Sequence, residues 1–320
     1  MSKSTDLKTL QQELQQALNL IDDYSTAKNV RSNLAVDGEG LTNTQSLLKR
    51  CANVVSEDQS NKKPTLRIIH HFACSGGTLI SKCIAAQPNV FLLSELHPTT
   101  RHGLDWSKAT YTPRDIVTQA YYAKVPDVEE LAEKIFVENI QNSCRHITAK
   151  GGYLVIRAHS HADYCMDMPT PEVDTVTRLL SPHFEIKQLV SIRNPIDSFL
   201  SLRNNNWVHF SPNSFDEYCL RLISFLKGFN KDNIIRYEDF VDTPEEVISQ
   251  CSALLDIPIN EDFFYYKDVF KVSGDSGRSG VEIKRRERKE ISKQYKKEIA
   301  ESENFKEICK YFGYSGCEGL

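Results

Sequence analysis

Five absences narrow what this chain can be. No apolar run approaches the ~20 residues that span a bilayer, and the N-terminus, MSKSTDLKTLQQELQQ, is polar with no apolar core for export. Both features predict a cytoplasmic protein with no membrane partner. None of the nine cysteines stands in a Cys-x-x-Cys pair. That spacing argues against a zinc site or a disulfide framework and fits half-buried thiols in a reducing compartment. Positive charge is not in excess: 39 Lys and Arg face 43 Asp and Glu, for a net charge of -4. A general nucleic-acid binder is therefore not expected, although a local basic cleft for a small anion is compatible with this balance. Finally, the stretch RIIHHFACSGGTLISKC, Arg67 to Cys83, reads as a phosphate-holding loop between a strand and a helix, yet it lacks the Gly-Lys-Ser/Thr ending of nucleotide hydrolases.

What is present is an ordinary globular composition, 40% hydrophobic and 26% charged over 320 residues. That length suits one large α/β domain with an appendage. Residues 1–63 read as an N-terminal helical extension. Leu7, Leu10, Leu14, Ala17 and Ile21 recur in steps of three and four, which predicts an amphipathic helix packed on its own domain; the alternative is a homodimer seam or a docking helix. SLLKRCANVV reads as a second short helix and SEDQSNKKP as a linker. Residues 64–320 read as the α/β domain. Strands are expected in TLRIIHHF, NVFLLSE, GYLVIRAH, FEIKQLVSIRNP and DNIIRYED, with helices between them. Such alternation predicts three layers: a central, mostly parallel sheet flanked by helices, on the pattern of phosphate-loop nucleotide hydrolases.

In a parallel sheet, ligands bind at the carboxyl ends of the strands. The chemically loaded residues fall there, in HHFACSGG, SELHP, RAHSHADY, SIRNPIDS and RYED. Ser75, Gly76, Gly77 and Thr78 stand where a strand gives way to a helix. Glycines let the backbone approach an anion, and the N–H groups of the helix start donate to it; a simple turn shaped by glycine is the plainer explanation. Arg193 follows the fourth strand, and Ser201 lies eight residues on, past a Pro195 suited to a first helical turn. A guanidinium and a hydroxyl so spaced can grip one phosphate. The plainer alternative pairs Arg193 with Asp197.

Together these pieces resemble the sulfotransferases that use 3'-phosphoadenosine-5'-phosphosulfate (PAPS). The resemblance runs from about residue 65 to the C-terminus. It implies that the Ser75–Thr78 loop holds the 5'-phosphosulfate, that Arg193 and Ser201 hold the 3'-phosphate, that Tyr237 of IIRYEDF lies near the adenine, and that Gly277 and Arg278 of SGDSGRSG close over the 3'-phosphate. The implied activity is transfer of a sulfuryl group from PAPS, as cosubstrate and without a metal, to a hydroxyl acceptor, a carbohydrate or a small natural product. The implied base is His159 of VIRAHSH, two residues after Arg157, or Glu95 of LLSELHP. His70, His71 and His161 read as structural. One position departs from the family's pattern: Cys74 stands where a Lys or Arg normally steadies the leaving group. Arg157, Lys82 and Arg101 are the candidate replacements. The segment 97–150, with Trp106, Tyr111, Tyr121 and Tyr122, is expected to shape the acceptor pocket. The alternatives are a nucleotide-dependent kinase, or a catalytically silent nucleotide-binding protein that docks a partner. The basic run EIKRRERKEISKQYKKEIAES reads as a solvated helix.

Overall fold

The strand at the centre of the sheet, β1 (Thr65–His71), is β-branched and apolar because both its faces are covered. Leu66 and Ile68 point into one apolar layer and Ile69 into the other, and all three are fully buried. The computed structural model describes residues 63–314 apart from 103, 106, 274–282, 286, 287 and 289. The N-terminal extension, Trp106, Gly277 and Arg278 lie outside the described residues.

After β1 the chain forms α1 (Gly77–Ala85), β2 (Val90–Leu96), α2 (Ile116–Tyr122), α3 (Val128–Thr148) and β3 (Tyr153–Ala158). Then come α4 (His161–Tyr164), α5 (Thr175–Leu180), β4 (Glu185–Ile192), α6 (Pro195–Asn204), α7 (Phe215–Leu226) and β5 (Ile234–Arg236). The remaining helices are α8 (Tyr237–Asp242), α9 (Pro244–Leu255), α10 (Phe263–Tyr266), α11 (Lys293–Glu301) and α12 (Glu303–Phe312). The caps were written in the sequence. Asn194 accepts from the Ile196 N–H ahead of Pro195 in α6. Ser214 accepts from the Glu217 N–H in the Ser-x-x-Glu start of α7. Among the described residues no helix is long and apolar enough to cross a membrane.

The sheet has the order β2-β3-β1-β4-β5 and every pairing is parallel. The expected three-layer α/β architecture is therefore observed. The connection leaving β1 runs towards β2, whereas the chain leaving β4 runs on to β5. The crevice at the carboxyl ends of β1 and β4 is thus a topological switch point, where open parallel sheets bind ligands.

Two stretches differ from expectation. The fifth strand is only three residues long, and Tyr237 opens α8 instead of ending the strand. The basic run becomes helical only at Lys293, behind the Ser292 cap. Upstream, Arg285 pairs with Asp242 and Arg288 pairs with Asp197 at 2.9 Å. These ion pairs tie the segment to the α/β body in place of the i,i+4 pairing that a solvated helix would use.

Candidate active site

The loop from Phe72 to Thr78 starts at the end of β1 and runs into α1. Cys74 and Gly76 both adopt left-handed backbone, with φ of 61° and 83°. The turn is closed by the Ser75 N–H donating to the Phe72 carbonyl at 3.1 Å, and α1 begins with the Leu79 N–H on the Gly76 carbonyl at 3.0 Å. The glycines answer to close neighbours as well as to backbone geometry. A Cβ on Gly76 would lie 2.2 Å from the Tyr237 ring, and one on Gly77 would lie 2.7 Å from the His71 side chain. The Ser75 hydroxyl is buried and turned to the sheet, 3.4 Å from that of Ser191. Its contribution to an anion is therefore through its backbone.

At one end of this loop lies a charged cluster. The Arg157 side chain is fully buried at the end of β3. Its Nη1 donates to Thr78 Oγ1 at 3.3 Å, and its Nη2 donates to the Glu95 carboxylate and, at 3.0 Å, to the Ser273 carbonyl. The other Glu95 oxygen lies 2.6 Å from His159 Nδ1, and Oε1 also lies 3.4 Å from His71 Nε2. Glu95 reaches these partners because its backbone is left-handed, φ 57°, where the β2–β3 register shifts between Leu93 and Leu96. Such a conformation in a non-glycine residue is unfavourable by roughly 1–2 kcal/mol and persists only when its surroundings enforce it. Burial, and then the Arg157 guanidinium, hold the His159 imidazole below the usual histidine range. The neutral ring keeps its hydrogen on Nδ1, facing the Glu95 carboxylate, and leaves Nε2 as a lone pair.

At the other end, the Arg193 guanidinium lies over the Tyr237 ring at 5.2 Å, and that ring covers Gly76. Asp197 pairs with Arg288 and not with Arg193. Ser201 is half-buried, two turns into α6. Glu238 fixes the strand end by accepting the Asn194 N–H at 2.9 Å and the Tyr314 hydroxyl at 3.2 Å.

Of the three candidates to replace a cation at position 74, Arg157 donates to the loop at Thr78. Lys82 faces Asp268 at 3.9 Å, and Arg101 is paired with Glu129. Of the aromatics expected near an acceptor, Tyr121 is buried, Tyr122 donates to the Asp105 carbonyl at 3.2 Å, and Tyr111 is exposed. His71 and His161, read from sequence as structural, lie beside the candidate residues: His71 touches Glu95 and lies beneath Gly77, and His161 joins His102, His159 and His209 in a cluster of rings. His71 had one usable signal, its place as the last residue of a strand. His102 and His209 had none, because neither stands in a motif. His70 is buried, 3.9 Å from Asp174. Among the described residues no group of three or more His, Cys, Asp or Glu side chains is arranged to hold a metal ion.

No family model matches the chain, and no curated protein does. Among solved structures, the sulfotransferase domain of the olefin synthase of Synechococcus PCC 7002 is similar at 18% identity, with a TM-score of 0.49, over 80% of this chain and 97% of that one. The mouse sulfotransferase SULT7A1, complexed with PAP, is similar at 11% identity, with a TM-score of 0.38, over 78% of this chain and 89% of that one.

Proposed function

We propose that the α/β domain, residues 64–320, is a PAPS-dependent sulfotransferase acting on a hydroxyl acceptor. One observation carries this reading. The single loop after β1 touches both halves of the required machinery, with Tyr237 and, over it, Arg193 at Gly76, and Arg157, Glu95 and His159 beyond Thr78.

The cosubstrate supplies an activated sulfuryl group whose sulfur–oxygen bond to the 5'-phosphate breaks as the acceptor oxygen bonds to sulfur. The protein's part in such an in-line transfer is to position, to take a proton and to steady charge. His159 Nε2 takes the acceptor's hydroxyl proton, and Glu95 holds the ring in the required tautomer and steadies the imidazolium that forms. Arg157 holds Thr78 through Oγ1, and the Thr78 hydroxyl donates to a departing phosphate oxygen. The Gly77 and Thr78 N–H groups, in the first turn of α1, have no helical acceptor and face the same need. Arg193 and Ser201 take the 3'-phosphate, with Gly277 and Arg278 closing over it, and the Tyr237 ring takes the adenine. No step requires a metal.

Calorimetric titration with 3'-phosphoadenosine 5'-phosphate against ATP with Mg²⁺ tests the reading. Tight binding of the first, at least tenfold tighter than the second, is expected. Binding of ATP with Mg²⁺ alone would overturn it in favour of a kinase. Binding of neither would leave a protein whose loop is a glycine turn.

A further inference from the structure

Three imidazoles besides that of the base gather where an acceptor must approach. His102, from the segment after β2, lies 6.3 Å from the His159 ring and nearly parallel to it, and 4.9 Å from His209. His161, at the start of α4, lies 5.9 Å from His159. His209, from the segment after α6, hydrogen-bonds through Nδ1 to His161 Nε2 at 2.9 Å. Three separate parts of the chain thus bring these rings into one cluster with His159, whose Nε2 is the nitrogen that Glu95 does not take. His102 is exposed and His161 is half-buried, so the cluster opens outward. Sulfuryl transfer itself has no use for these three rings.

Their surroundings decide what they can bind. Among the described residues, the charged side chains that touch His159 or stand beside His102 and His161 in the chain have partners of their own. Glu95 is shared by Arg157, His159 and His71. Asp163 accepts from Thr175 at 2.7 Å and pairs with His97 at 3.2 Å. Arg157 serves Glu95, Thr78 and Ser273, and Arg101 pairs with Glu129. The two cations among them, Arg157 and Arg101, are each held by a carboxylate. The hydrogen bond between two of the rings limits the positive charge that they can supply. A nitrogen-to-nitrogen hydrogen bond joins one N–H to one lone pair, so His161 and His209 cannot both be charged while it persists. Burial, and then the neighbouring rings, push His161 down to about 3. Neutral imidazoles each offer one donor and one acceptor, the complement of a hydroxyl group. They also cost a buried carboxylate or phosphate its hydration without replacing it by a cation.

Building on the sulfotransferase reading, we infer that His102, His161 and His209 form the acceptor subsite, and that it selects uncharged, hydroxyl-bearing compounds over acceptors carrying a carboxylate or phosphate beside the reacting hydroxyl.

The test uses the full chain and matched pairs of probes: phenyl β-glucoside with phenyl β-glucuronide, and benzyl alcohol with 4-carboxybenzyl alcohol. Binding is read by ligand-observed NMR in the presence of 3'-phosphoadenosine 5'-phosphate, and sulfate transfer is followed in parallel. At least a tenfold preference for the neutral member of a pair is expected. His209→Arg, which sets a fixed cation in the cluster, is expected to reverse that preference. His102→Arg at the exposed rim serves the same purpose should the first variant fold poorly. Independently, the ¹⁵N spectrum of the His161 imidazole at pH 7 is expected to show a neutral ring. Preference for the charged probes, binding of neither member of any pair by a protein that binds the nucleotide, or a charged His161 would each overturn the inference. Failure to bind the nucleotide would instead overturn the sulfotransferase reading.

Discussion

Glu95 and His159 were rivals for one role when only their positions along the chain were known. In the structure the two are in contact, with the carboxylate on Nδ1, and the proposed mechanism gives the other nitrogen to the acceptor. His159→Ala is expected to lower kcat by about 10²–10⁴, the range for loss of a positioned base, with nucleotide affinity within twofold of the parent. Glu95→Gln is expected to behave differently. It removes the counter-charge of a fully buried guanidinium, so it should lower the melting temperature as well as kcat. The pH profile separates the two roles. His159 is held below its usual range, so it is deprotonated at neutral pH, and kcat should decline only as pH falls below about 6.5. Taking away the Glu95 charge disfavours the imidazolium further, and the decline should move to still lower pH; an unchanged or raised midpoint would count against the pairing. Cys74 is judged at the same scale. Arg157 already stands at Thr78, so Cys74→Lys should raise turnover by less than tenfold. A much larger gain would mean that the site had lost its cation and found no replacement.

The elements were legible to unequal degrees. β1, β3 and β4 carry apolar runs whose ends fall within about one residue of those expected, because buried parallel strands announce themselves by composition. The loaded residues at their carboxyl ends were legible for the same reason. The bulge in β2 was not, since Glu95 takes a left-handed backbone with no glycine to mark it and with partners 62 and 64 positions away. The basic run misled because alternating charge suggested a helix, whereas Arg285 and Arg288 are spent on distant aspartates. Gly76 was legible as a loop glycine but for only part of its reason. An anion's approach explains a missing side chain, yet the Tyr237 ring already fills the space where a Cβ would stand. Gly76→Ala is therefore expected to destabilise the protein by about 1–3 kcal/mol from backbone strain alone, measured by urea unfolding. Displacement of Tyr237 should weaken binding of 3'-phosphoadenosine 5'-phosphate at least tenfold. Gly76→Ala combined with Tyr237→Ala should recover part of the stability and none of the binding.

For the molecule as a whole, the histidine doublet at the end of β1 ties stability to pH. His70 is held down by burial first, and His71 lies well below its usual range through burial, then Arg157, then His159. Unfolding returns both rings to water, where they titrate near 6.5. Below that value the unfolded chain binds more protons than the folded one, so stability falls as the pH drops through 6.5 and is flat above it. At pH 5.5 each ring accounts for at most about 1.4 kcal/mol, or about 3 kcal/mol for the pair, which is a large share of an ordinary domain's stability. The melting temperature should therefore be constant between pH 7 and 8.5 and drop by several degrees by pH 5.5. His71→Asn should flatten that slope if it folds, and His70→Asn offers a second variant with the same expectation. Because His71 lies beneath Gly77 and beside Glu95, its protonation would strike the phosphate loop as well as the core. Saturating 3'-phosphoadenosine 5'-phosphate, which at a hundredfold excess over Kd stabilises by about 2.7 kcal/mol, should accordingly restore less of the melting temperature at pH 5.5 than at pH 7. An equal ligand shift at both values would mean that the doublet governs folding alone and leaves the loop untouched.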